Sequence, residues 1–145
     1  MRRPTFEEAI AEIVRTETRY APEAYLFVRE GLDYTIKMLK QKEAGAPRHV
    51  RGTELLEGLR RLALDQFGPL AYRVLAHWGL RSTEDFGAIV FRLVDYGALG
   101  KTDEDTEADF AQGYDFETAF RHPFLSRAAR TTAPATPQPE STPDQ

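Results

Sequence analysis

Apolar residues recur at intervals of three and four along most of the first hundred positions, the spacing of one helix face. Phe6, Ile10, Ile13 and Val14 form the first stripe, and Thr5 with Glu8 three residues later makes a capping box, so a helix is predicted over about 5–18. Pro22 and Glu23 suit the first turn of a second helix, predicted from Pro22 to about Lys40, with Tyr25, Val28, Leu32, Ile36 and Leu39 as its buried stripe. Ala44-Gly45-Ala46-Pro47 breaks that helix, and Arg48-His49-Val50-Arg51 is short enough to be a loop or a brief edge strand. Thr53 is expected to cap a third helix carrying Leu55, Leu56, Leu59, Leu62, Ala63 and Phe67. Gly68-Pro69 ends it and starts a short fourth helix to Trp78, closed by Gly79. Ser82 and Asp85 cap a fifth, with Phe86, Ile89, Val90, Leu93 and Val94 on one face and Gly97 at its end.

Beyond Gly97 the period changes. Residues 98–102 and 110–116 alternate in part and are separated by the polar run Asp103 to Asp109, a pattern that predicts a small β-hairpin with an acidic connection. Short helices followed by a hairpin is the order of a winged-helix module. From residue 126 the chain is rich in proline, threonine and alanine, cannot bury enough apolar surface to offset its ordering entropy, and is expected to be a disordered tail. The fold class expected is therefore mainly α: about five helices in one bundle-like domain over 5–125, a C-terminal hairpin with winged-helix-like order, and a tail over 126–145.

The chain has 145 residues and no cysteine, which excludes a disulfide framework, thiolate metal sites and a cysteine nucleophile. Glu7 and Glu8 interrupt the start before any signal-peptide core can form, and no apolar run approaches a membrane span, so a cytoplasmic protein with no membrane contact is expected. The net charge of -4 argues against a general nucleic-acid coat. Its distribution changes the picture more. Residues 37–61 hold seven basic side chains against three acidic, and residues 82–120 hold two basic against ten acidic, local balances of +4 and -8. Charge segregated in this way orients a charged partner during encounter.

Asp103, Asp105, Glu107 and Asp109 offer oxygens at alternate positions like the start of a calcium loop, but Ala108 stands where the sharp turn needs glycine and Tyr114 where a bidentate glutamate is required. An EF-hand is rejected, and these four acids are candidate partner-binding residues instead. Arg48, His49 and Arg51 are a candidate anion-binding patch at the start of the third helix, where free amides favour negative charge. His49, His77 and His122 are far apart and belong to no metal motif; no Ser-His-Asp spacing, nucleophile elbow or phosphate loop occurs. No catalytic residue, cofactor or metal ligand is nominated. Tyr25 and Phe27, two apart on a helix, are expected to face different surroundings, with the first helix or the Phe116 to Phe124 segment covering the second face.

The strings AYLFV (24–28), HVRGTELLEGLR (49–60), QFGPLA (66–71), WGLRSTEDFG (78–87), KTDEDTEADF (101–110) and GYDFETAF (113–120) together resemble an uncharacterised bacterial family restricted to the Verrucomicrobia and Planctomycetes. The resemblance covers about residues 6–122. It implies a bacterial cytoplasmic setting and brings no activity, ligand or site residue. The expected function is a non-enzymatic protein-interaction module whose partner is another protein. The alternative is a winged-helix-like nucleic-acid- or ribosome-associated regulator using Lys37, Lys40, Arg48, Arg51, Arg60 and Arg61, followed by a small metal-dependent hydrolase.

Overall fold

Helix starts follow local chemistry. At Thr5 the hydroxyl accepts from the Glu8 N–H at 3.1 Å while the Glu8 carboxylate accepts from the Thr5 N–H at 2.8 Å, and α1 runs over Phe6–Thr16. The computed structural model describes residues 5–43, 50–99, 108–111 and 113–125. After α1 come α2 (Pro22–Glu43), α3 (Gly52–Phe67), a 3-10 turn (Gly68–Leu70), α4 (Ala71–His77), α5 (Thr83–Asp95), α6 (Ala108–Ala111), α7 (Phe116–Phe120) and a second 3-10 turn (His122–Phe124). The mainly helical class stands. Two starts differ in detail from the sequence reading. The cap of α3 is Arg51, not Thr53: its N–H donates to the Glu54 carboxylate at 2.9 Å, and Thr53 is already inside the helix. The expected fourth helix opens with the 3-10 turn because Gly68 takes φ 52, and regular α geometry resumes only at Ala71.

The body is organised around α2 and α3. Leu55, Leu59, Ile89 and Leu93 are all buried, as their spacing requires. On α2 the fully buried line runs through Ala24, Val28, Gly31 and Thr35, whereas Leu32, Ile36 and Leu39 are half-buried at its edge. The cause is a close crossing: a Cβ at Gly58 would overlap the Thr35 hydroxyl, and a Cβ at Gly31 would overlap Leu59. Missing side chains on each helix let the other come near.

Tyr25 and Phe27 meet different neighbours, as residues two apart on a helix should, and both are buried, at 0% and 3% exposed. Helix α2 is covered on two sides, as that spacing requires. Tyr25 meets Tyr20 edge to face at 6.4 Å. Phe27 lies 5.8 Å from Trp78, 5.9 Å from Phe67 and 6.4 Å from Phe86, so its ring neighbours come from α3, the end of α4 and α5. The residue between them, Leu26, is the one turned outward, at 46% exposed.

The described part of the expected hairpin is not strand. Among the described residues no strand occurs: Ala98 and Leu99 close the end of α5, Phe110 sits in α6, and Phe116 opens α7 under an Asp115 cap that accepts from the Thr118 N–H at 3.1 Å. The winged-helix order falls with it. Alternation in 110–116 is produced instead by two aromatic anchors on successive short helices, Phe110 and Phe116, both buried. Residues 100–107, which include the end of the first predicted strand and most of its acidic connection, residue 112 and the predicted tail 126–145 lie outside the described residues.

Candidate functional site

Four acids and one basic triplet were nominated by sequence. Asp109 is the described member of the first group and Arg51 of the second; Asp103, Asp105, Glu107, Arg48 and His49 lie outside the described residues. The fold brings these two described members to one place. Phe110 fills a slot between the first turn of α3 and the middle of α5: its ring atoms lie 3.1 Å from where a Gly52 Cβ would stand, and its Cβ lies 2.7 Å from a Cβ at Gly87. Phe91 meets the ring edge to face at 5.9 Å, and the Thr83 hydroxyl donates to the Phe110 carbonyl at 2.5 Å. Seating Phe110 also seats its neighbour: the Asp109 Cβ is 3.1 Å from the same Gly52 position, one residue beyond Arg51.

This changes the electrostatics expected from the linear charge map. The amino end of α3, read as a place for an outside anion, already faces the Glu54 carboxylate through the Arg51 N–H and has Asp109 beside it. Further along α3, Arg60 donates to both Glu57 oxygens at 3.0 and 2.6 Å and Arg61 donates to Glu57 at 2.9 Å. Hydrogen bonding from Arg60 foremost, and from Arg61, holds the Glu57 carboxyl below its usual range in spite of partial burial. Arg61 also reaches the Met38 sulfur at 3.9 Å, on one wall of an open groove of about 620 Å³ between α2 and α3. Two of the arginines assigned to the nucleic-acid alternative are therefore committed to a carboxylate. Lys37 and Lys40 are exposed on α2.

Sequence reasoning missed the densest polar cluster. Asp85 is 7% exposed and accepts from the Tyr20 hydroxyl at 2.5 Å, the Arg19 guanidinium at 3.2 Å, and the N–H groups of Arg81 and Ser82 at 2.8 and 3.1 Å. Burial, with Asp85 second, pushes the Tyr20 phenol up to about 12. Arg92 pairs with Glu17 at 3.2 Å, reaches the Tyr25 hydroxyl at 3.2 Å and lies 5.2 Å from the Tyr20 ring centre. Only the Ser82-Asp85 cap was visible locally; Tyr20 lies 65 residues from Asp85. A carboxylate accepting four hydrogen bonds has its lone pairs occupied, so the cluster ties the α1–α2 connection to the start of α5 rather than leaving an acid or base aimed at a cavity.

His77 ends α4 and His122 opens the second 3-10 turn, both exposed. No protein-family model, curated protein or solved structure matches the chain. Among the described residues no group of three or more His, Asp or Glu is placed to hold a metal ion, and no helix is long and apolar enough to cross a membrane.

Proposed function

We propose that the chain is a non-enzymatic protein-interaction module of the bacterial cytoplasm, the setting implied by the family resemblance, and that its acid-rich stretch 103–109 is the contact with another protein. The observation that supports this reading most is the way both flanks of the stretch are tied to the same helix. The Leu99 N–H donates to the Leu93 carbonyl of α5 at 3.3 Å, and Phe110 is buried against Gly87 of α5. A run of acids between two fixed points presents concentrated negative charge at low loop-closure cost. The best candidate acid-base pair by burial, Asp85 with Tyr20, is committed to structural hydrogen bonds.

The nucleic-acid alternative has less support: the described part of its expected wing forms α6 and the start of α7, and Arg60 and Arg61 are paired with Glu57. The test is quantitative affinity capture with the full chain and an Asp103→Lys, Asp105→Lys, Glu107→Lys variant of unchanged melting temperature. Protein partners retained by the parent, lost by the variant and weakened by salt are the expected result. Partners that bind both chains equally overturn the acidic contact, and salt-sensitive binding to duplex DNA or RNA by both chains favours the alternative.

A further inference from the structure

We draw no further inference here: the strongest candidate, the open groove of about 620 Å³ between α2 and α3 lined by Thr35, Met38, Leu39, Glu54, Glu57 and Arg61, has its polar walls tied to one another through the Glu57–Arg61 pair and the Arg61 contact with Met38, and nothing in the structure shows what covers it.

Discussion

The Tyr20 hydroxyl donates to Asp85 Oδ1 at 2.5 Å, joining the turn between α1 and α2 to the first turn of α5. The same carboxylate caps α5 through the N–H groups of Arg81 and Ser82. Asp85→Ala strands several donors at once and is expected to cost about 2 to 4 kcal/mol, with Tyr20→Phe costing about 1 kcal/mol because it removes one bond and keeps the ring. Urea denaturation of the two variants against the parent measures both; equal small losses would show that the carboxylate acts only as a local cap.

Alkaline pH should loosen the same junction. The Tyr20 phenol is held at about 12 in the folded chain and near 10 when unfolded, and burial also pushes Tyr114, whose hydroxyl donates to the Leu56 carbonyl at 2.7 Å, upward. Below pH 10 both states keep the proton and stability is fully present. Above pH 10 the unfolded chain ionises first, so stability falls as pH rises towards 12, with a slope of at most about 1.4 kcal/mol per pH unit for one such group. Denaturant midpoints measured from pH 8 to 11.5 should decline above pH 10, and less steeply in Tyr20→Phe.

Gly58→Ala separates packing from helix propensity. On an exposed helix this change stabilises by up to about 1 kcal/mol, but here the new Cβ would overlap the Thr35 hydroxyl, itself buried and donating to the Gly31 carbonyl at 2.7 Å. The expected outcome is a net loss of roughly 1 to 3 kcal/mol from overpacking, read as a lower melting temperature. A rise in melting temperature would place the α2–α3 crossing elsewhere.

Leu59→Ala empties a fully buried position at that crossing and is expected to cost about 2 to 5 kcal/mol. Leu26→Ala, on the outward face of α2, should change stability by about 0.5 kcal/mol or less. Calorimetry of the pair tests the phase of both helices together.

What the chain disclosed before its structure was what neighbours along it decide. Thr5 with Glu8 and Ser82 with Asp85 are complete within four residues, and the leucines of α3 repeat often enough to set the helix phase. Phe116 misled because the five-residue helix it opens is too short to display a period, and its spacing from Phe110 also suits a strand. The spacing of Tyr25 and Phe27 disclosed that they point in different directions, but not which elements meet each ring, since Phe67, Trp78 and Phe86 lie 40 to 59 residues from Phe27. Of the candidate residues, the approach of Asp109 to Gly52 and the ties from Arg19, Tyr20 and Arg92 around Asp85 depend on tertiary contact across tens of residues, where local pattern carries no signal.

At the α2–α3 crossing one helix contributes a hydroxyl and methyl and the other contributes the hollow that takes them. Positions 35 and 58 therefore hold a single allotment of space, written twice in the chain. Bulk added at one must be surrendered at the other, so in chains that share this fold the two should vary in opposite directions, and such paired exchanges would reveal the crossing without coordinates.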